Sequence, residues 1–172
     1  MNVYKTDIPA KSLIRDILPA DYTDAFQCVV PGEPKCSPDD LQVSFWTVMP
    51  GWVNALMKLR NILVKPFGLQ GGESIAVPVV QAIRNGESHG LMAVPFKNDR
   101  ETVVKLSDKH LDAYMSVYID PNNPTTSVSV ITAVKYHNRL GRAYFFIIRP
   151  FHKIIVRSML KNTINRECKK MV

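Results

Sequence analysis

The chain has 172 residues, 46% of them hydrophobic and 22% charged, with a net charge of +7. That length predicts one domain over residues 1–172, with 1–20 as an N-terminal extension, able to bury roughly 70% of its extended surface in a real core. The composition excludes a disordered chain and a disulfide-rich scaffold, and no apolar run approaches the roughly 18 residues that a spanning helix needs.

Met1 to Ala10 carries Lys5 and Asp7 and lacks the apolar stretch of a secretory signal. Pro9 and Pro19 break the first twenty residues, where Ile8, Leu13, Ile14 and Ile17 offer cover for a core edge. Tyr22 to Val30 predicts a strand with Tyr22, Asp24, Phe26, Cys28 and Val30 on one face, ended by Pro31-Gly32. Ser37-Pro38-Asp39-Asp40 opens a helix: Ser37 can cap free N–H groups, Pro38 suits the first helical position, and the two acids favour the positive end of the dipole. Leu41, Phe45 and Val48 follow at helical spacing until Pro50-Gly51. A second short helix carries Trp52, Leu56, Leu59 and Leu63 along one side, with Trp52 as a core residue, and stops at Pro66 and Gly68.

Gln70 to Gly90 contains four glycines and Pro78, and its Ile75 to Ile83 segment reads as a short strand or a loop. Met92 to Leu106 is strand-like on both sides of the polar turn Lys97-Asn98-Asp99-Arg100. In His110 to Asp120, Leu111, Ala113, Met115, Val117 and Ile119 point one way, and His110, Asp112, Tyr114, Ser116, Tyr118 and Asp120 the other. Beyond the turn Asp120-Pro121-Asn122-Asn123-Pro124, Val128, Val130, Thr132, Val134 and Tyr136 share a face. A period of two and a short polar turn predict an antiparallel hairpin with one buried face.

Near the C-terminus Arg149, Lys153, Arg157 and Lys161 recur every four residues, with Phe151, Ile154, Ile155 and Met159 opposite them. That is an amphipathic helix. Tyr144, Ile147 and Ile148 continue its apolar face backwards through Pro150, so one long helix kinked at Pro150 is expected. The alternative is a last strand over Gly141 to Arg149, with Pro150 opening the helix. Residues 135–172 hold ten Lys or Arg against the single acid Glu167, whereas residues 1–134 hold twelve against fourteen. Such asymmetry suits peripheral contact with an anionic surface through Arg149, Lys153, Arg157 and Lys161, or simply a solvated helix face. The stripe has no interleaved aromatics to stack on bases, so nucleic acid is not an expected partner. Cys28, Cys36 and Cys168 are widely spaced with no CxxC pair, which predicts a reducing, cytoplasmic setting.

The fold class expected from this order is α+β: a curved antiparallel sheet wrapped around a long C-terminal helix, with two short helices after the first strand. The helix is the element long enough to cover an apolar sheet face. This is the helix-grip architecture, whose sheet and helix diverge at one end around a cavity.

Three segments also resemble one family. They are WVNALMKLRNILVKPFGL at Trp52 to Leu69, KHLDAYMSV at Lys109 to Val117, and NRLGRAYFFIIRPFHKIIVRSML at Asn138 to Leu160. The last combines Asn-x-x-Gly-Arg-x-Tyr with Pro-Phe-His. On these segments the chain resembles the bacterial domain of unknown function numbered twenty-eight sixty-seven, from Asp21 to Leu160. The resemblance implies a relation to the wider helix-grip superfamily of lipid-transfer and polyketide-cyclase-like proteins, and it implies no activity. That family also occurs behind NAD-binding domains, but here no strand-linked GxGxxG exists and GLQGGE at Gly68 to Glu73 fails the pattern, so no cofactor is expected.

Four histidines, His89, His110, His137 and His152, have no His or Cys at ligand spacing, so no metal is expected. His110 and Asp112 share a strand face and could form an oriented acid–base pair, or a sheet-edge pair that stabilises the strand. His152 could reach a cavity ligand or cap the carbonyl freed by Pro150. Thr132, Tyr136 and Tyr144 put hydroxyls among apolar neighbours, the usual make-up of a small-molecule site, or satisfy one another in a filled core. Asn138 reads as a helix cap or turn residue; Arg142 as an anion holder or a salt-bridge partner. The leading functional reading is therefore a binding module for a small apolar or amphipathic molecule, using Thr132, Tyr136, Tyr144, Arg142 and His152. A cyclase- or isomerase-like enzyme using His110 with Asp112, or His152, is the second. An interaction protein docking its basic helix is the third, and a homodimer is left open.

Overall fold

A computed structural model describes residues 2–32, 36–64, 76–88, 90–122 and 125–167. Six strands, β1 (Val3–Lys5), β2 (Tyr22–Pro31), β3 (Met92–Lys97), β4 (Glu101–Ser107), β5 (Leu111–Asn122) and β6 (Thr125–Tyr136), make one curved, open, antiparallel sheet. Their order across it is β1-β2-β6-β5-β4-β3. Helices α1 (Pro38–Thr47), α2 (Gly51–Val64) and α3 (Ala76–Asn85) lie between β2 and β3, and the 29-residue α4 (Arg139–Glu167) follows β6. The fold is α+β, with the long helix on the inner face of the sheet. None of the described helices is long and apolar enough to cross a membrane.

Register decides which side chains share a face. Asp24 is paired with Thr132, Thr132 with Met115, and Met115 with Val104, so this row runs across four strands on the inner face. Around it Phe26, Cys28, Val30, Val117, Val128 and Val130 meet Val156, Met159, Leu160 and Ile164 of α4, with Leu41 and Phe45 of α1. The alternation in β2, β5 and β6 is thus sound, but the expectation of one buried face is not. Ala25, Val103, Tyr118, Ile131 and Ala133 on the outer face form a second core under Ile14 and Ile17. These two sit in a 3-10 turn at Leu13–Ile17. The N-terminal stretch therefore covers the middle of the outer face, over β4 and β6, where the sequence suggested only an edge. β5 and β6 pair to their ends, Asn122 with Thr125, and residues 123–124 of the expected turn lie outside the described residues.

α1 begins as its sequence dictates: Asp40 N–H donates to Ser37 Oγ at 3.2 Å and Ser37 N–H donates back to Asp40 Oδ2 at 3.1 Å. Among the described side chains of α2 Val53 is buried, whereas Trp52 is 43% exposed and not core. The side chains of Leu59 and Leu63, Pro66, Gly68 and the Gly71-Gly72 pair lie outside the described residues. The segment read as a strand or loop is the helix α3. Val79, Ala82 and Ile83 recur at three and four residues and pack together on Met92 and Val104, and Pro78 falls in the first turn, where its missing donor costs nothing.

α4 runs unbroken through Pro150, as the in-phase reading expected, so Gly141 to Arg149 is not a strand. Its buried face differs from the expected one. Phe145, Val156, Met159, Leu160 and Ile164 are inside, while Ile147, Phe151 and Ile154 are exposed. The inward arc is centred on Phe145 and His152, about a quarter-turn from the face that the apolar residues suggested. Before the helix, Asn138 Oδ1 accepts Gly141 N–H at 2.9 Å. Gly141 lies so close to the His110 carbonyl that a Cβ there would overlap it.

The margins of the sheet are irregular. β1 pairs with β2 through Val3, Tyr4 and Lys5 only. At the far side, β3 shifts register against β4 between Ala93 and Phe96, where Pro95 sits.

Candidate functional site

A strand that turns one face into a core normally places apolar side chains there, yet β2 places Asp24 among them. Asp24 is 4% exposed. Tyr22 Oη, two residues away on the same face, donates to Asp24 Oδ2 at 2.5 Å. His152 on α4 brings Nε2 to 3.6 Å from that same oxygen, just beyond hydrogen-bond length. Thr132, the cross-strand neighbour on β6, is 2% exposed beside the carboxylate. Asp24 Oδ1, Thr132 Oγ1 and His152 Nε2 are all buried without a hydrogen-bond partner.

Charge sharpens this arrangement. Burial pushes the Asp24 carboxyl up, but His152, the Tyr22 hydroxyl and Thr132 more than offset it and hold it below the usual carboxylate range. Burial first, then the hydrogen bond to Asp24 and its charge, raise the Tyr22 phenol well above its ordinary value, with Arg149 acting the other way. At neutral pH the cluster is therefore a carboxylate held by a neutral phenol, with the His152 ring facing it.

Its surroundings are aromatic and only partly covered. The Phe145 ring lies 4.8 Å from that of Tyr22, 5.8 Å from His152 and 5.9 Å from Tyr136. Arg149 rests 5.0 Å over Tyr22 and Arg142 6.0 Å over Tyr136. α4 covers β1, β2 and β6, and α1 covers β4 and β5. Ala113, Met115 and Tyr136 on the sheet, and Tyr144, Ile148, His152 and Ile155 on α4, remain half-buried. A carboxylate, an imidazole and a hydroxyl on a half-covered apolar wall can seat the polar end of an amphipathic molecule. With Asp24 fixing His152, they can also move a proton.

The structure sorts the residues singled out by sequence. Thr132 and His152 meet at Asp24. His152 faces Asp24, a contact that neither sequence alternative named. Tyr144 joins Leu111, Val134 and Phe145 in a small core. Tyr136 and Arg142, with His137, Asn138 and Arg139, line a cleft of about 290 Å³ at the start of α4. Among the described residues, no acid pairs with Arg142. His110 and Asp112 do not form a dyad. His110 precedes β5 and its Nδ1 meets the Asn138 amide, 3.2 Å from Nδ2. Asp112 lies on the outer face with Ser107 at 2.5 Å, Lys105 at 3.0 Å and His137 at 3.3 Å. Burial raises the Asp112 carboxyl, and those three contacts bring it below its usual range. Sequence reasoning placed Tyr22 and Asp24 on one face with Phe26, Cys28 and Val30 without recognising them as a site; the available signal was an acid in the apolar register of the strand. Among the described residues, no three His, Cys, Asp or Glu side chains gather as a metal would require.

The family described as "Protein of unknown function (DUF2867)" matches residues 17–159. No curated protein matches. One solved structure, described as "Crystal structure of conserved protein from Geobacillus kaustophilus", is similar at 10% identity with a TM-score of 0.41, covering 87% of this chain and 96% of that one.

Proposed function

The chain belongs to the DUF2867 family of proteins of unknown function, and from that footing we propose that it binds a small apolar or amphipathic molecule between the sheet and α4. The observation that carries this reading is the set of buried atoms without a full hydrogen bond, Asp24 Oδ1, Thr132 Oγ1 and His152 Nε2, on one half-covered apolar wall, with His152 Nε2 still 3.6 Å from Asp24 Oδ2. Each buried polar group left unmet costs about 1–3 kcal/mol. Three in one place are a sustained cost that a ligand bearing a hydroxyl or an ammonium would relieve. Asp24 Oδ1 would accept the ligand's proton, and Thr132 and His152 would complete its polar end. Tyr136 and Tyr144 would flank the apolar body, with Arg142 in the neighbouring cleft. A helix-grip relation and a reducing, cytoplasmic setting fit this reading.

Native mass spectrometry of gently purified protein tests it. The expected result is a stoichiometric organic adduct on the wild-type chain that is depleted in Thr132→Val and Asp24→Asn. A clean apo mass, together with no thermal shift for the wild type against amphipathic alcohols and amines, overturns it.

One observation favours a second, enzymatic reading: the Asp24 carboxylate faces His152 as an orienting group faces a general base. On that reading His152→Gln abolishes turnover while ligand binding and fold persist. Unchanged turnover would exclude it.

A further inference from the structure

α4 turns Phe145, Val156, Met159, Leu160 and Ile164 inward, but its opposite face is not polar. Phe146, Ile147, Phe151 and Ile154 are 75%, 65%, 50% and 58% exposed. Ile147, Phe151 and Ile154 follow one another at four and three residues and so form one stripe. Monomeric surfaces scatter such side chains singly; a contiguous group marks a contact.

Lys153, Arg157 and Lys161 border this stripe on one side, while Arg149 turns toward the sheet. Arg149, Lys153, Arg157 and Lys161 climb α4 one turn apart, and the helix holds seven Lys or Arg against one acid, Glu167, at its far end. Arg149 and Arg157 are braced over the rings of Tyr22 and Phe26 at 5.0 and 5.8 Å, and Arg157 also donates to Val3 O at 3.0 Å. None of the four forms an ion pair with a carboxylate among the described residues.

We propose that this face of α4 docks flat on an anionic lipid bilayer, with Phe146, Ile147, Phe151 and Ile154 entering the acyl boundary and the bordering cations meeting lipid phosphates. An apolar stripe bordered by Lys and Arg is the pattern of an interfacial helix. A partner must supply negative charge beside an apolar surface, as an anionic membrane does. A second copy would set the same cations against one another, so like-charge repulsion opposes a symmetric dimer through this face. The docking does not rest on the proposed ligand or on any chemistry at Asp24.

Sedimentation of the full chain with vesicles tests the idea. With roughly one part phosphatidylglycerol to two of phosphatidylcholine, partitioning should exceed that to pure phosphatidylcholine by about tenfold or more. It should fall by a similar factor as salt rises from about 50 to about 500 mM. Phe146→Ser with Ile147→Ser changes only exposed positions and should abolish binding without altering the thermal melt. Lys153→Glu with Lys161→Glu should remove the preference for anionic vesicles. Equal binding to neutral and anionic vesicles, or wild-type binding by both variants, overturns the proposal. A concentration-dependent dimer that the Phe146→Ser, Ile147→Ser variant dissolves, with no vesicle binding, also overturns it and assigns the face to a second copy.

Discussion

Glu101 accepts the Ser12 hydroxyl at 2.7 Å across 89 positions of chain. The same carboxylate takes Leu13 N–H at 2.6 Å and the Ser116 hydroxyl, all with Glu101 fully buried. One side chain on β4 thus fastens the N-terminal 3-10 turn over the outer core. Glu101→Ala leaves three donors unmet, and charged hydrogen bonds contribute about 1.5–3 kcal/mol each. The expected loss is roughly 3 kcal/mol or more, read as a lower urea midpoint, with early proteolytic cleavage before Tyr22. An unchanged midpoint would show that the outer core holds the segment without this anchor.

The Asp24 carboxyl is held below its usual range in the folded chain, so folding favours its charged form. Its contribution is present above the unfolded pKa of about 3.9 and is lost as pH falls through the lower folded value. Asp24→Asn should therefore lower stability at neutral pH. The gap to wild type should narrow below about pH 4, as the wild-type carboxyl takes up its proton. Denaturant unfolding of both chains across that interval measures this, and a gap constant with pH would remove Asp24 as the titrating group.

Thr132→Val exchanges a buried hydroxyl without a hydrogen bond for a methyl of the same shape. Without ligand the variant should be as stable as wild type, or more so by about 1 kcal/mol. A chain that gains stability while losing its adduct would show the hydroxyl is kept for binding. A clear loss of stability would mean that Thr132 is satisfied within the fold.

Gly141→Ala drives a methyl into the His110 carbonyl, which itself accepts His137 N–H at 2.8 Å. The neighbour is backbone and yields poorly, so a loss of about 2–4 kcal/mol is expected, measured by thermal melting against Gly51→Ala, where the added Cβ meets open space.

Much of this architecture was legible because it depends on local periods. The inward row of β2, the β5–β6 hairpin, the Ser37 cap and the continuous α4 follow from alternation, capping chemistry and phase. The Asn138 to Gly141 spacing also has a local cause: Asn138 caps the turn, and three residues on only glycine fits against His110. The remainder depended on what lies far away in the chain. The outer core needs Ile14 and Ile17 from the N-terminus, and nothing in the polar register of β5 announces that Tyr118 will be covered. α3 was obscured because Pro78 and the nearby glycines outweighed a short three-four repeat. The Asp24 cluster joins three separate elements, β2, β6 and α4, and its His152 could be assigned to Asp24 only once the turn of α4 was known. Asp112, by contrast, found His137 from just beyond the next strand and not the histidine two residues before it.

The two margins of the sheet bear on how the protein behaves at high concentration. An open sheet presents backbone groups that a foreign strand can extend, the route to fibrils and strand exchange. Here one margin is a strand of three residues ending in Lys5, and the other is broken by Pro95 and a shift of register. Neither offers a long flat ladder. Among the described residues this disfavours self-assembly by strand addition at both ends, leaving side-chain surfaces to decide what the protein touches.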